Sequence, residues 1–396
     1  MPGVLARIAC LLAGLVCLPA LAGAQTPPAP APGSLRVAVY NVALSRRGAG
    51  VLWRDLDRVR DGRGDAQIEA LLQVIPRLGA DVLVLTEFDH DPEGQALGAF
   101  TALLQAPPGA DAPAIAYPHR FAGPVNSGQP SGIDLDGDGR TDGRADAWGF
   151  GAFPGQKGMA VLSRFPLGPV TGFRGLRWRA LPGHHLPLRE DGTPFPSEAA
   201  QAAMRLSSRA HWVVPVQLPG GVAELLVSHA SAPVFDDAHD LNGRRNADEI
   251  RFWQLWLDGT GFRADSGETV VRGPAPVLLA GTLNADPFDG AGAQEAIAAL
   301  LAHPALQDPG PEGPGGVAAA GQGANAAHRG PPARDTADFR DTPAPGNLRV
   351  DYLLPDARFT VTASGVWWPA EGEEAALLAA ASDHRPVWVD LKPPAP

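Results

Sequence analysis

Short apolar runs alternate along the chain with segments whose apolar positions recur at helical spacing. Strands are predicted at residues 35–40, 81–85, 159–163, 211–217, 222–228, 276–280, 349–354 and 385–391. A helix is predicted at residues 66–78, with Asp65 as its N-cap and Gly79 at its C-terminal end. A second helix is predicted at residues 247–257, where Asn246 and Glu249 have capping-box spacing. This order of elements indicates an α/β sandwich with mixed strands rather than a regular parallel barrel.

Polar residues that can hold a metal ion or a proton follow or open several of these strands. They are Asn41, Glu87, His229, Asn284, Asp351 and the pair Asp383-His384. Rigid strands fix the geometry of the side chains at their tips, and strand ends that meet in one cleft are a common way to build an active site. The residue types suit the hydrolysis of phosphate esters.

The composition is that of an acidic protein with enough hydrophobic residues for a substantial core. The 396 residues are 45% hydrophobic, which is enough for a substantial core, and the net charge is −11. That charge argues against a general nucleic-acid coat protein, which needs a basic surface, but it allows a nuclease with a local basic or metal-filled cleft. Lysine occurs only at Lys157 and Lys392, so nearly all positive charge is carried by arginine.

The first residues have the pattern of a secretory signal. Residues 1–24 contain Arg7, an apolar stretch at 8–21 and small residues before Gln25. The stretch is too short to favour a membrane span, so we expect cleavage, secretion or release to the periplasm, and no stable membrane insertion. Cleavage would remove both cysteines, and the mature protein would then use neither a disulfide nor thiol chemistry.

The remaining chain divides into a linker and one domain. Residues 25–33 are rich in Pro and Ala and are predicted to form an extended linker. Residues 34–393 are predicted to form one domain with loop insertions near 122–157 and 307–346. Both insertions are too long for ordinary connectors, so we expect functional loops or partly disordered segments. We expect the protein to be a monomer.

The first insertion contains an acidic repeat that matches part of a calcium-binding loop. Asp134, Asp136, Asp138 and Asp142 occupy liganding positions, but the twelfth position is Ala145 where a bidentate Glu is expected. No helix precedes the repeat. It is either a structural Ca²⁺ site outside an EF-hand pair or a solvated acidic turn.

The ordered set of motifs resembles the endonuclease/exonuclease/phosphatase superfamily, and in particular its deoxyribonuclease-like, secreted bacterial members. The matching pieces are Tyr40-Asn41, Thr86-Glu87, residues 158–166 (GMAVLSRFP), Ser228-His229, residues 281–287 (GTLNADP), Val350-Asp351-Tyr352 and residues 382–386 (SDHRP). The resemblance covers roughly residues 34–392. It implies a four-layer α/β sandwich, with two mixed β-sheets packed face to face and helices outside.

The resemblance also implies a metal-binding group. Glu87 would be the principal ligand of Mg²⁺ or Mn²⁺, with Asn41 and Asp383 completing or supporting the shell. These oxygen donors suit Mg²⁺, which takes one or two carboxylates and keeps several waters and substrate oxygens.

The catalytic residues implied by the resemblance are His229, Asn284, Asp351 and His384. His384 would transfer a proton or stabilise the phosphate, and Asp351 would orient its ring. His229 would donate to a phosphate oxygen or to the leaving group. Asn284 would bind the scissile phosphate and help hold the attacking water.

One position departs from the family pattern. Thr282 stands where the family has an Asp that orients or deprotonates the attacking water, and a neutral hydroxyl cannot serve as a base near pH 7. Three alternatives follow: the metal alone activates the water, another carboxylate such as Asp286 substitutes, or catalysis is weak. Asp286-Pro287 also has the pattern of a simple turn.

Arg245 and Asn246 are candidates for phosphate binding. They precede the predicted helix at 247–257, and a helix N-terminus with arginines is a good anion site. The alternative is capping combined with a surface charge cluster.

These features predict a secreted, divalent-metal-dependent phosphoesterase in which water attacks a phosphodiester, with nucleic acid as the default substrate. The alternatives are a phosphomonoesterase, a phospholipid-headgroup phosphodiesterase, or a calcium-stabilised binding module weakened by Thr282.

Overall fold

The computed structural model describes residues 26–109, 112–236, 238–343 and 345–394. The predicted signal peptide at 1–24 lies outside these ranges, so its cleavage and the secretion of the protein stay predictions. Residues 26–33 form no helix or strand, and the carbonyl of Pro28 accepts a hydrogen bond from the buried Arg36 guanidinium. No helix in the described ranges has both the length and the apolarity needed to cross a bilayer.

Strands and helices alternate along the described chain. The strands are β1 Leu35–Leu44, β2 Val82–Phe88, β3 His119–Phe121, β4 Met159–Ser163, β5 Thr171–Gly172, β6 His211–Leu218, β7 Gly221–His229, β8 Phe262–Arg263, β9 Thr269–Val270, β10 Val277–Thr282, β11 Ala337–Asp338, β12 Asn347–Leu348, β13 Asp351–Pro355, β14 Thr360–Val366 and β15 Val387–Lys392. The helices are α1 Val51–Arg60, α2 Ala66–Leu78, α3 Gln95–Gln105, α4 Glu198–Ala203, α5 Leu241–Leu257, α6 Gln294–Leu301, α7 Pro314–Ala319 and α8 Glu373–Ala381. Short 3₁₀ turns lie at Trp178–Ala180, Gly323–Ala327 and Pro332–Arg334.

Two mixed sheets form the centre of the molecule. The first has the strand order β14-β15-β1-β2-β4-β3 and the second has the order β13-β10-β7-β6-β5. Their facing sides share one apolar core that includes Val39 and Val84 of the first sheet and Val214, Val227 and Ala280 of the second. This arrangement explains the continuous apolar runs, because strands covered on both faces have no solvent side to carry polar residues.

Helices cover the outer face of each sheet. Helices α1, α2, α3 and α8 pack on the first sheet, with Leu56, Leu71, Phe100 and Leu378 in its outer core. On the second sheet, α5 and α6 bring Trp253 and Ile297 into a separate core. The predicted four-layer α/β sandwich is therefore confirmed.

The topology brings the polar strand ends to one edge of the sandwich. Strands β1 and β2 are parallel, as are β7 and β10, so each pair ends on the same side of its sheet. Thr282 is in register with both His229 and Asp351. Gly281 permits this close approach, because a Cβ there would lie 2.0 Å from the Ser228 carbonyl oxygen.

Two predicted local features are corrected. The helix predicted at 247–257 begins at Leu241, so Asn246 and Glu249 lie inside α5 and form no capping box. The strand predicted at 349–354 begins only at Asp351, because the Thr336 hydroxyl accepts the backbone N–H groups of Val350 and Asp351 at 3.0 Å. At β13 a side chain from another segment thus decides the local hydrogen bonding.

Candidate active site

A buried Asp–His pair lies at the centre of the strand-end cleft. Nδ1 of His384 is 2.7 Å from Oδ2 of Asp351, and because a carboxylate only accepts, Nδ1 carries the proton. Burial lowers the pKa of His384, but the charge and hydrogen bond of Asp351 outweigh it, so the pKa lies above its usual value. The pair leaves Nε2 of the ring to face other groups in the cleft.

Thr282 belongs to this network. Its hydroxyl donates to Oδ1 of Asp351 at 2.5 Å, and its oxygen lies 2.7 Å from the hydroxyl of Thr86 in the opposite sheet. Because the single proton of Thr282 goes to the carboxylate, Thr86 must donate to Thr282. Thr336 donates to Oδ2 of Asp351 at 3.0 Å. Asp351 is thus held from several sides, and one of its supports spans the two sheets.

Glu87, near the end of β2, has a strained backbone conformation. Its φ is 54°, and Lys157, whose φ is 55°, donates from Nζ to Oε1 of Glu87 at 3.0 Å. Residues other than glycine rarely adopt this left-handed region, and its use by both residues is typical of functional sites. Burial raises the pKa of Glu87, but the charges of Lys157 and Arg209 outweigh it and bring the pKa below its usual value.

Asp89 fixes the two loops beside Glu87. Its carboxylate accepts the backbone N–H of Arg46 at 2.7 Å and that of Lys157 at 2.9 Å. Burial raises the pKa of Asp89 to about 6, although both hydrogen bonds oppose the rise. Asp89 therefore holds Lys157 in the strained conformation that directs its ammonium toward Glu87.

His229 is buried at the end of β7, and its Nδ1 has no hydrogen-bond partner among the described residues. Burial, reinforced by the charges of Arg209, Lys157 and His384, lowers the pKa of His229 well below its usual value. The pKa values of the two cleft histidines are therefore shifted in opposite directions, that of His384 upward and that of His229 downward. Such a pair can both donate and accept a proton.

Asn41, Asp383 and Asn284 complete the set predicted from the sequence. Asn41 is buried and its Oδ1 accepts the N–H of Ala43, while its Nδ2 has no partner among the described residues. Asp383 is exposed, and its charge contributes to the raised pKa of His384. Asn284 has a φ of 53° and donates from Nδ2 to the Ala230 carbonyl at 2.9 Å, which joins the end of β10 to the segment after His229.

Arg209 is a cleft residue that the sequence did not reveal. Its guanidinium is buried, and its Nε has no partner among the described residues. Burial lowers the pKa of Arg209, whereas the charges of Glu87 and Glu249 raise it. A buried cation with an unused donor, beside Glu87 and His229, is suited to bind a phosphate oxygen.

Arg245 and Asn246 occupy the interior of α5 instead of its N-terminus. Asn246 is fully buried and donates from Nδ2 to the carbonyls of Ser231 and Leu283, at 2.7 and 2.8 Å. Arg245 is buried with its guanidinium over the ring of Trp178. The argument for a phosphate site at a helix start therefore fails for both residues, and the contacts of Asn246 give it a structural role.

The acidic repeat of the first insertion lies apart from this network. Carboxylate oxygens of Asp134, Asp136 and Asp138 lie within 4.8 Å of one another, and Asp142 does not belong to this group. Asp142 instead contacts Arg140 at 3.4 Å. Burial, followed by the charges of Asp138, Asp146 and Asp134, raises the pKa of Asp136, so the carboxylates repel one another.

Sequence reasoning missed Lys157, Arg209 and the two supporting threonines, Thr86 and Thr336. One signal was available, because Lys157 is one of only two lysines and directly precedes the GMAVLSRFP motif. No comparable local signal marks Arg209, whose role depends on Glu87 and His229, both far away in the sequence.

Comparison with known proteins by sequence identifies one matching family. A sequence profile described as "Endonuclease/Exonuclease/phosphatase family" matches residues 38–384. No curated protein matches the chain by sequence. The matched range contains every residue predicted for the catalytic and metal groups.

Several solved structures are similar to the chain. An endonuclease/exonuclease/phosphatase from Beutenbergia cavernae superposes with a TM-score of 0.50 and 21% identity, covering 91% of this chain and 72% of that one. Sphingomyelinase C from Streptomyces griseocarneus gives a TM-score of 0.46 and 17% identity, with coverage of 90% and 99%. A mannosyl-6-phosphatase from Bacteroides thetaiotaomicron gives 0.44 and 15%, with coverage of 90% and 99%. At this level of identity, the first likeness supports the fold alone.

Proposed function

The chain belongs to the endonuclease/exonuclease/phosphatase family and is a hydrolase of phosphoester bonds, and on this premise we propose that it hydrolyses a phosphodiester with the help of a divalent metal ion. The observation that carries the proposal is the cleft in which the Asp351–His384 pair faces Glu87, His229 and Arg209.

The charge balance of the cleft favours a diester over a monoester. Lys157 is paired with Glu87 at 3.0 Å, and the charge of Arg209 is opposed by those of Glu87 and Glu249. Each cation is therefore largely compensated. A diester carries one negative charge, whereas a monoester carries nearly two at neutral pH. With Lys157 and Arg209 compensated, these two side chains offer little excess positive charge for a dianion, which favours the singly charged diester.

The side chains supply distinct parts of the reaction. A water oxygen forms a bond to phosphorus, the bond to the leaving ester oxygen breaks, and one proton passes from the water to the leaving oxygen. His384, oriented by Asp351, and His229, whose Nδ1 has no hydrogen-bond partner within the described part of the chain, hold and move that proton. Arg209 donates to a non-bridging phosphate oxygen.

The donor set fits a hard divalent cation. Glu87, Asp383 and Asn41 offer oxygen donors, and Oε2 of Glu87 accepts no hydrogen bond from the described part of the chain. These residues would hold Mg²⁺ or Mn²⁺, which would lower the pKa of a bound water and polarise the phosphate. The ammonium of Lys157 pairs with the other oxygen of Glu87, Oε1, at 3.0 Å.

The position of Thr282 argues against a weakened binding module. Thr282 is fully buried and supports Asp351 at 2.5 Å, so its hydroxyl is part of the Asp–His network. Asp286 does not replace the missing carboxylate, because its oxygens accept the backbone N–H groups of Phe288, Asp289 and Arg349.

Hydrolysis of bis(p-nitrophenyl) phosphate and of p-nitrophenyl phosphate tests the proposal, with Mg²⁺, Mn²⁺ or EDTA present. We expect metal-dependent hydrolysis that prefers the diester and falls by about 10²–10⁴ in Glu87→Gln and His384→Asn. The matched control is Glu371→Gln, which changes an exposed carboxyl. Activity in the wild type no higher than in the two cleft variants would refute the enzyme mechanism, and a preference for the monoester would reverse the substrate assignment.

We infer further that the Asp134, Asp136 and Asp138 group takes up Ca²⁺, because mutual repulsion of the three carboxylates is relieved by a cation. Calorimetry with CaCl₂ should show binding that Asp136→Asn abolishes and Asp142→Asn retains. Equal heats for Asp136→Asn and the wild type would remove the site.

A further inference from the structure

A cluster of arginines surrounds Trp148 at the edge of the sandwich. The guanidinium carbons of Arg205 and Arg177 lie over the indole, 4.5 and 5.5 Å from its centroid. The charges of Arg174 and Arg177 act on Arg205, whose pKa is lowered first by burial and then by these neighbours. Three like charges are thus held together in a protein whose net charge is −11.

These arginines lack carboxylate partners. Among the described residues, none of the three guanidinium groups forms an ion pair, although Arg205 donates to Oδ1 of Asn126 at 2.7 Å. The nearby carboxylate of Asp265 is engaged by the backbone N–H groups of Arg174 and Gly175, at 3.1 and 2.7 Å. The Asp265 charge acts on Arg205 and offsets part of the positive charge, but the three guanidinium groups leave the cluster with a net positive charge for a ligand.

Buried polar contacts preorganise the cluster. Asn126 is fully buried, and its Nδ2 donates to the carbonyls of Arg174 and Ser207, at 2.8 and 2.7 Å. The backbones of Arg177 and Arg205 also pair as an antiparallel bridge. Such constraints reduce the ordering cost of ligand binding, because the arginine backbones are already fixed.

The cluster lies at the cleft end of the second sheet. Strand β6 is antiparallel to β7 and pairs His211 with Ser228, so Arg205 precedes β6 on the side where His229 lies. Strand β5 runs antiparallel to β6 and ends at Gly172, so Arg174 leaves the sheet on the same side. Arg205 and the cleft residue Arg209 are four positions apart, and their Cα atoms are separated by at most about 14 Å.

We propose that Arg174, Arg177 and Arg205 form a subsite for a second phosphate group of the substrate. The inference rests on the proposed function, because it places the scissile diester in the cleft and another phosphate of the same molecule at the cluster. Two guanidinium groups already lie over Trp148, so the indole orients the cations and is not a stacking platform for a base. The substrate class is a molecule with at least two phosphates, from a nucleic acid or from a small polyphosphorylated compound.

Binding can be measured without catalysis. Calorimetry in EDTA and low salt compares tripolyphosphate with orthophosphate for the wild type and for Arg174→Gln/Arg177→Gln. We expect the double variant to bind tripolyphosphate about fivefold more weakly, with the difference shrinking in high salt. Arg60→Gln/Arg63→Gln is the matched control, since it removes two exposed charges from the helix layer of the other sheet. Equal tripolyphosphate affinity in wild type and double variant overturns the subsite.

Kinetics distinguish the two sources of the phosphate. The dinucleotide d(pTpT) carries one phosphate more than d(TpT), and a lower KM for d(pTpT) that disappears in the double variant supports a nucleic-acid source. Loss of tripolyphosphate affinity without a d(pTpT) preference supports a small polyphosphorylated substrate. If the double variant fails to fold, both measurements are repeated with the single variant Arg177→Gln, which changes an exposed side chain.

The proposed function has its own readout. Bis(p-nitrophenyl) phosphate has no second phosphate, so its hydrolysis by the wild type tests the proposed function independently of the subsite. If the wild type does not hydrolyse this compound, the proposed function fails, while the calorimetry still decides whether the subsite exists.

Discussion

At the scale of single residues, Thr282 shows how a neutral side chain is used where the family pattern has an acid. Its hydroxyl donates to Asp351 and accepts from Thr86, so it fills a position between one acceptor and one donor. An Asp at this position would place a second carboxylate against Asp351 inside a fully buried site. One of the two acids would then have to be protonated. Thr282 is therefore adapted to its surroundings.

Replacement of Thr282 should affect both the stability of the protein and its turnover. Thr282→Val keeps the shape but leaves Oδ1 of Asp351 without its donor, which should cost about 1–3 kcal/mol of unfolding free energy. Because the Asp351–His384 pair would lose an orienting partner, kcat should fall by about 10–100-fold. Thr282→Ser keeps the hydroxyl and is the control. Wild-type turnover in Thr282→Val would show that the hydroxyl does not support catalysis.

Lys157 provides a second prediction at this scale. Its ammonium donates to Glu87, the principal predicted metal ligand, so lysine and metal compete for one carboxylate. Lys157→Gln should lower the Mg²⁺ concentration needed for half-maximal binding by roughly two- to tenfold, as expected for a partly exposed pair. Calorimetry with MgCl₂ measures this, and Lys392→Gln is the control at the only other lysine. Weaker Mg²⁺ binding in Lys157→Gln would contradict the competition.

At the scale of elements, α5 connects the ends of β7 and β10 through buried side chains. Asn246 donates to the carbonyls of Ser231 and Leu283, directly after β7 and β10. Glu249, one turn later, accepts the backbone N–H groups of Ser208 and Ser231, each at 2.6 Å. These contacts position the segments that carry His229 and Asn284.

Asn246 therefore offers a test of how an outer helix supports the cleft. Asn246→Ala leaves two buried carbonyls without donors and should cost about 1–3 kcal/mol, measured by urea unfolding. Asn246→Asp has the same shape but presents an acceptor to both carbonyls, so the loss should be larger. An unchanged urea midpoint in Asn246→Ala would show that the helix does not depend on these bonds.

At the scale of the whole molecule, burial of a neutral histidine makes stability depend on pH. His211 is buried, and both of its ring nitrogens are hydrogen-bonded. Nε2 donates to the Glu249 carbonyl at 2.9 Å, and Nδ1 lies 2.6 Å from the Ser207 hydroxyl. Burial lowers the pKa of His211 from 6.5 to about 4. Below pH 6.5 the His211 ring is therefore protonated in the unfolded chain but stays neutral in the folded protein down to about pH 4, so stability decreases as the pH falls.

The size of this effect follows from the two pKa values. Between pH 7 and pH 4.5, His211 should remove about 2.5 kcal/mol of unfolding free energy. His211→Gln keeps a donor for the Glu249 carbonyl and has no titrating ring. The difference in unfolding free energy between wild type and variant, measured by urea at both pH values, isolates the contribution. A difference that does not change with pH would show that His211 is protonated in the folded protein.

The amino-acid sequence by itself determined the fold class, the family and the candidate residues at the strand ends. Periodicity identifies buried strands and amphipathic helices locally, and parallel strands must end on the same edge of their sheet. Their places at predicted strand ends, together with the family resemblance, therefore led to the expectation that Asn41, Glu87, His229 and Asp351 share one cleft. The start of α5 could not be predicted, because Asn246 is satisfied by carbonyls from two distant strands.

Only the tertiary structure decided which side chains meet within the cleft. The Thr86–Thr282 contact depends on how the two sheets stack, and the Lys157–Glu87 pair depends on the path of a long insertion. The grouping of Arg174 with Arg205 likewise depends on the antiparallel pairing of β5 with β6. These contacts join residues distant in sequence, and no local pattern encodes them because their geometry is fixed by packing between layers.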